Sequence, residues 1–302
     1  MQKLQQEIEA LKKEKDVVIL AHYYVNGEIQ EIADYVGDSY YLAKVAAELT
    51  CKVICFCGVR FMAESAKIMN PDKRVLLPVA EADCEMAHMV KYEKVQEMKK
   101  KYPGIAVVTY INSTAETKTY SDVCVTSSNA VKIVKNLDAD QIFFIPDQNL
   151  GAYVKKQVPE KEIFLNDGFC PVHHEVTLED VDRAKKAHPG VKILAHPECR
   201  PEILEQADYV GSTSGIIEFA TSCPDQEFII ATEFGVEYDL HEKNPNKTFY
   251  PIKDNMVCKD MKLTTLESVY QALLTMSPEV IVDEDTRIKA LIPLQRMLEL
   301  AK

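Results

Sequence analysis

The chain reads as an α/β protein built from three similar small α/β units, each a parallel sheet sandwiched between helices. Two patterns carry that reading. A phrase of strand, polar turn, helix and strand recurs three times. Three cysteines, Cys84, Cys170 and Cys258, close the copies at spacings of 86 and 88 residues. Short apolar strands alternating with helical stretches mark βαβ units whose sheets are covered on both faces. Repeats of this length are too long for a solenoid and fit three-layer sandwich domains.

The elements follow in order. Leu4, Ile8 and Leu11 sit at helical spacing and predict an amphipathic opening helix. The first strand of each copy is an apolar, β-branched run at residues 17–20, 106–109 and 191–194. Polar turns come next: Ala21-His-Tyr-Tyr24, Tyr110-Ile-Asn112 and Ala195-His-Pro-Glu198. After a helical stretch come Asp34-Tyr-Val-Gly-Asp-Ser39, Asp122-Val-Cys-Val-Thr-Ser127 and Asp208-Tyr-Val-Gly-Ser-Thr213. The step from His22, Tyr110 or His196 to the Asp is 12 residues in every copy, and from the Asp to the closing hydroxyl residue it is 5.

A second buried strand is predicted at 53–56, 142–145 and 228–231, and helices around 63–69, 151–157 and 238–243. Pro71-Asp-Lys73, Pro159-Glu-Lys161 and Pro245-Asn-Lys247 punctuate the exits, and a last short strand runs toward each cysteine. The expected domains are 1–83 with 260–302, then 84–170, then 171–259. In the tail, Thr264-Thr-Leu-Glu267 predicts a capping box, and Pro293 should start or kink the last helix. Helices at both chain ends are expected to pack on the first unit.

Composition narrows the function. The 302 residues carry 35 basic and 47 acidic side chains, a formal net charge of −12. That balance disfavours unspecific nucleic-acid or anionic-membrane binding. The opening residues lack the apolar core of a signal peptide, and no run is long enough to span a bilayer. Nine cysteines without a secretion signal suggest reduced thiols in the cytoplasm, in metal or catalytic roles.

Ligands of parallel α/β units bind beyond the carboxyl ends of the strands. His22, Tyr24, Ser39, Tyr110, Asn112, Ser127, His196, Glu198, Ser212 and Thr213 all fall at such edges. If the units face a common axis, these side chains and the three cysteines converge. Helix N-termini and neutral hydroxyls would then bind anions even in an acidic protein. Three equivalent cysteines without a fourth suit an iron–sulfur cluster with one open iron, able to act as a Lewis acid. Cys170-Pro-Val-His173-His174 offers half of a zinc site, without a second motif to complete it. A cluster-bearing redox or iron sensor would also explain the cysteines, though not the matching His, Tyr, Glu and Ser/Thr positions. Cys51, Cys55, Cys57, Cys124 and Cys223 are expected to be buried packing residues.

These residues bring a family into view. Ile19-Leu-Ala-His-Tyr-Tyr24, Gly58-Val-Arg-Phe-Met-Ala-Glu64, Tyr110-Ile-Asn-Ser-Thr114, Pro146-Asp-Gln-Asn-Leu150, Gly168-Phe-Cys-Pro-Val-His173 and His196-Pro-Glu-Cys199 together resemble the quinolinate synthase family over nearly the whole chain. The resemblance implies three α/β domains about a pseudo-threefold axis, with Cys84, Cys170 and Cys258 holding a [4Fe-4S] cluster that has one open iron. It implies condensation of iminoaspartate with dihydroxyacetone phosphate to quinolinate, for NAD biosynthesis, with L-aspartate oxidase as a functional partner. Glu198, His196 and Tyr24 would handle protons, and Tyr110 and Asn112 would contact substrate or intermediates. His22, Ser39, Ser127, Ser212 and Thr213 would hold carboxylate and phosphate, His173 would stand at the cavity wall, and Met62 would pack against the pocket. Two departures stand out. Tyr23 replaces the Asn of many relatives, and Cys258-Lys-Asp-Met261 lacks the C-x-x-C pair that some of them carry.

Overall fold

The computed structural model describes residues 2–302. Helix α1 (Gln2–Lys15) leads into β1 (Val17–His22), α2 (Gly27–Ile32), β2 (Tyr35–Gly37), α3 (Ser39–Glu48), β3 (Val53–Cys57), α4 (Arg60–Met69) and β4 (Arg74–Leu76). The second unit runs α5 (Tyr92–Lys101), β5 (Ala106–Tyr110), α6 (Ala115–Thr119), β6 (Val123–Val125), α7 (Ala130–Asn136), β7 (Gln141–Ile145), α8 (Gln148–Gln157) and β8 (Glu162–Leu165). The third begins with α9 (Pro171–His174) and continues through α10 (Leu178–Ala187), β9 (Lys192–Ala195), α11 (Pro201–Leu204), β10 (Tyr209–Val210), α12 (Thr213–Ser222), β11 (Glu227–Ala231), α13 (Val236–Lys243) and β12 (Thr248–Pro251). Two helices, α14 (Leu266–Thr275) and α15 (Glu284–Leu300), end the chain.

Three four-stranded sheets result, ordered β2-β1-β3-β4, β6-β5-β7-β8 and β10-β9-β11-β12. Every strand pair is parallel, in one register pattern: Ala21 faces Cys57, Thr109 faces Ile145 and Ala195 faces Ala231. The expected α/β class and threefold repeat are therefore present as three copies of one topology. Parallel sheets must be covered on both faces, and the alternation of the strands shows how. Phe144 and Val108 enter the main core, while Phe143, Val107 and Ile145 form a second cluster with Val95 of α5. In the third unit Phe228 and Ile230 join the main core, while Ile229, Ala231 and Ile193 pack under α10 with Val181. The inner faces of all three sheets thus share one core.

The repeated Asp and Lys have structural work. Asp34, Asp122 and Asp208 accept through Oδ2 from the backbone N–H of Ile19, Val107 and Ile193, at 2.7, 2.7 and 2.8 Å. Each returns its own N–H to the carbonyl of the same strand residue at 2.9 Å. The pair lengthens the ladder where a short edge strand begins. Lys73, Lys161 and Lys247 reach back to the carbonyls of Leu49, Leu137 and Cys223, the C-terminal caps of α3, α7 and α12. An ammonium at that end satisfies orphan carbonyls and complements the helix dipole.

The tail differs from expectation in its capping box and in what α15 packs against. The capping box starts one residue later: Thr265 caps α14 and Ser268 supplies the return bond. Thr264 is instead buried, and Glu267 accepts from Gln271. Pro293 lies inside α15, which runs on past it for another two turns. Helix α14 packs on α1 and β3, but α15 spans α4 of the first unit and α6, β6 and α7 of the second. Arg296 and Arg287 fasten it through the carbonyls of Asp122 and Ile68 at 3.1 and 3.5 Å. No helix among the described residues is long and apolar enough to cross a membrane.

The Asp122→Ala and Asp208→Ala variants each leave a strand N–H without its partner, which costs about 1–3 kcal/mol. Urea unfolding should show both midpoints lowered with unchanged slopes, and an unchanged midpoint would remove the carboxylate from this account.

Candidate active site

The carboxyl edges of the three sheets meet at a cavity of about 630 Å³. Its wall holds Cys84, Cys170, Cys258, His22, Tyr24, Ser39, Tyr110, Asn112, Ser127, His173, His196, Glu198 and Thr213. Of the sequence-predicted site residues only Ser212 stands back from it. Ser212 caps α12, accepting from the Gly215 N–H at 3.2 Å. Met62 also lies elsewhere, in a small separate hollow beside Ala43 and Ala66. Phe61, Val59, Met86 and Met261 supply the apolar wall instead.

The three cysteines are held alike. The backbone N–H three residues beyond each central strand donates to the carbonyl two residues before the thiol: Arg60 to Ala82 at 2.9 Å, Gln148 to Gly168 at 2.8 Å and Phe234 to Met256 at 2.8 Å. At Gly168 a Cβ would fall 2.7 Å from the Pro146 carbonyl oxygen, so this approach needs glycine. Burial pushes all three thiols up: Cys258 to about 11, and Cys84 and Cys170 further, the latter two also raised by Glu198 and by a neighbouring cysteine.

The turns after the first strands share a geometry too. His22 Nδ1 accepts from the Tyr24 N–H at 3.1 Å, and His196 Nδ1 faces the Glu198 N–H at 3.4 Å. Each histidine keeps this nitrogen unprotonated to receive the turn. Burial takes both down to about 3, leaving neutral rings.

Glu198 is the centre of the polar network. Burial alone would raise its carboxyl. His196, His173 and the Tyr110 hydroxyl outweigh that and hold it at about 2, so it is a carboxylate. His173 Nδ1 lies 2.8 Å from Glu198 Oε2 and 3.2 Å from Cys170 Sγ. Cys170, His173 and Glu198 offer ligand atoms within 4.8 Å of one another, a set able to hold a metal ion. Tyr24 bonds to Thr213 and Thr232 at 2.8 Å each. Burial raises the phenols of Tyr24 and Tyr110 well above their ordinary value, so both remain protonated donors.

Comparison with known proteins identifies the family. The family model described as quinolinate synthetase A protein matches residues 6–299. The chain belongs to that family. Proteins named quinolinate synthase from Caldicellulosiruptor saccharolyticus, Fusobacterium nucleatum and Clostridioides difficile are 54%, 55% and 50% identical to it. The alignments cover 100%, 97% and 98% of this chain and 99%, 98% and 97% of those proteins.

Within this family member, the sequence reading missed the residues beyond the second strands. Val59, Asp147 and Glu233 occupy one equivalent position there. Glu233 accepts from the N–H of Cys258 at 3.0 Å and of Gly235 at 2.6 Å, and pairs with Lys262 at 3.2 Å. Asp147 caps α8 and, raised by burial and by Glu198, leaves Oδ2 without a partner. The repeat that located the first turns also marks this position, but three unlike residues conceal it.

Neutral, buried His22 gives a pH signature. Unfolded histidine binds its proton near 6.5 and folded His22 only near 3. Between those values the unfolded state holds more protons, so stability is complete above pH 6.5 and falls as the pH drops through this window. The share of His22 is about 1.4 kcal/mol per pH unit. Urea midpoints of metal-free protein should fall less steeply with acid in His22→Gln than in wild type; parallel curves would place the charged form in the fold.

Proposed function

We propose that the chain is a quinolinate synthase, condensing iminoaspartate with dihydroxyacetone phosphate, with loss of phosphate and two waters, for NAD biosynthesis in the cytoplasm. The observation that carries the site assignment is the convergence of three equivalently suspended thiols and one Glu–His–Tyr network on a single cavity. L-Aspartate oxidase is the proposed source of the imine.

The thiols fit the proposed [4Fe-4S] cluster. Thiolates, not thiols, bind metal, and these partly buried thiols would yield their protons to it. All three thiols line the one cavity, so a single group bound there could draw a ligand from each unit. Cys84, Cys170 and Cys258 would hold it, and its open iron would supply a Lewis acid for dehydration.

The protein's own groups supply the rest. The wall carries Asp38, Asp83, Glu198 and Glu233 but neither Lys nor Arg among its lining residues. Anionic substrates must be held by neutral donors: the hydroxyls of Ser39 and Ser127, and the N–H groups in the first turns of α3 and α12, where Thr213 stands. His22 and Asn112 add neutral polar contacts. Glu198 is an ionised base that can take a proton from a carbon next to the imine. Neutral His196 beside it can receive that proton, and the Tyr24 and Tyr110 phenols, which rest their protons on Thr232 and Glu198, can turn them to developing oxyanions. His173 orients Glu198.

Two measurements test this reading. Protein prepared without oxygen should be brown, carry about four irons per chain and change its spectrum with quinolinate. A colourless zinc protein under the same conditions would sink the cluster assignment. Glu198→Gln should lower kcat about 100-fold or more without loss of iron, and an active Gln variant would move the base elsewhere.

A further inference from the structure

We propose that Thr232 is a positioning residue of this site, its hydroxyl locking the Tyr24 phenol and the His173 imidazole to each other across the seam between the first and third units. The inference rests on the assignment of Tyr24 and His173 to the reaction. Thr232 follows β11, is buried, and is absent from the cavity wall, so it touches no substrate. Its Oγ1 lies 2.8 Å from Tyr24 Oη and 2.9 Å from His173 Nε2. These are side chains of two other segments, one 208 and one 59 residues away.

The donors can be ordered. His173 Nδ1 faces two acceptors, Glu198 Oε2 and Cys170 Sγ, so the ring proton sits there and Nε2 accepts. Thr232 then donates to Nε2 and accepts from the Tyr24 O–H, while the Thr213 hydroxyl donates to the phenol oxygen. A hydroxyl has one proton and two lone pairs and can fill both roles. The result is a directed line, Tyr24 to Thr232 to His173 to Glu198, that fixes both rings relative to the carboxylate.

This hydroxyl bonds no backbone group: its partners are both side chains of the site. Thr232 also borders an apolar hollow of about 310 Å³ lined by Ile230, Phe249 and Met256. Valine puts a methyl in place of the hydroxyl, so it removes both bonds while nearly keeping the side chain's shape.

The test compares Thr232→Val and Thr232→Ser with wild type, each reconstituted with iron and sulfide without oxygen. Valine should lower kcat about 10- to 100-fold, the loss of one buried hydrogen-bonding group, with KM within about threefold, iron content unchanged and Tm lowered by a few degrees at most. Serine should restore kcat to within about threefold of wild type. In metal-free protein, the His173 ring-nitrogen NMR signal, assigned with His173→Gln, should move in the valine variant and stay in the serine variant. This second readout stands even if the valine variant fails to take up iron. A valine variant as active as wild type, a serine variant as poor as valine, or an unmoved His173 signal would overturn the proposal. Wild-type protein that makes no quinolinate, with the His173 signal shifted as expected, would instead count against the proposed function and leave the positioning bond standing.

Discussion

Each cysteine segment hangs from one backbone hydrogen bond, from the N–H three residues past a central strand to the carbonyl two residues before the thiol. Because the three sheets share one register, the bond falls at the same place in each unit. The thiols are therefore placed by strand geometry and not by their neighbours' chemistry. The residues that donate, Arg60, Gln148 and Phe234, have nothing in common except a backbone N–H. Beyond the cysteines the three units diverge, into a short 3-10 turn at Glu85–His88, the helix α9, and the loop that Glu233 secures.

The cavity's acidity looks unsuited to anionic substrates until each carboxylate is traced to its partners. Asp38 accepts from the N–H of Tyr41, Asp83 from that of Cys84, and Glu233 from two N–H groups and Lys262. Glu198 is engaged by His173 and Tyr110. Their charge is already directed into the protein. The donors left facing the cavity are hydroxyls and the first turns of helices, which attract anions without adding a basic side chain. A net charge of −12 and an anion-binding centre are compatible because the two are separated in space.

Much of this was legible in the sequence because it repeats. A 12-residue step and a 5-residue step, each kept three times, pointed to equivalent strand ends, and the structure assigns the Asp of each step to a strand backbone and the triplet lysines to helix ends. The features that stayed hidden did so for physical reasons. Ser212 and Ser39 read alike, yet Ser212 is the cap itself and Ser39 follows the cap Asp38. Thr264 and Thr265 both offer a capping hydroxyl, and only the backbone angle at the helix entry decides between them. The lie of α15 across two units stayed hidden because its exposed Ile288 and Ile292 blur the stripe that would have named its partner face.

The seams join the second level of organisation to the first. Between the first and second units, Glu64 accepts from the N–H of Ala115 at 3.0 Å, at the start of α6. Between the first and third, Tyr24 meets Thr213 and Thr232, and Gly235 lets the chains approach so closely that a Cβ would stand 2.7 Å from Tyr24 Cα. Between the second and third, Tyr110 meets Glu198, and Asn149 donates to the Glu198 carbonyl at 3.0 Å. Two of the three seams are thus closed by the side chains assigned to the chemistry. Burying these polar groups is tolerable only while each has a partner in the neighbouring unit. The arrangement that orients the phenols and the carboxylate is consequently the one that keeps the units together, and a unit displaced at either seam would lose both its partner and its alignment with the thiols.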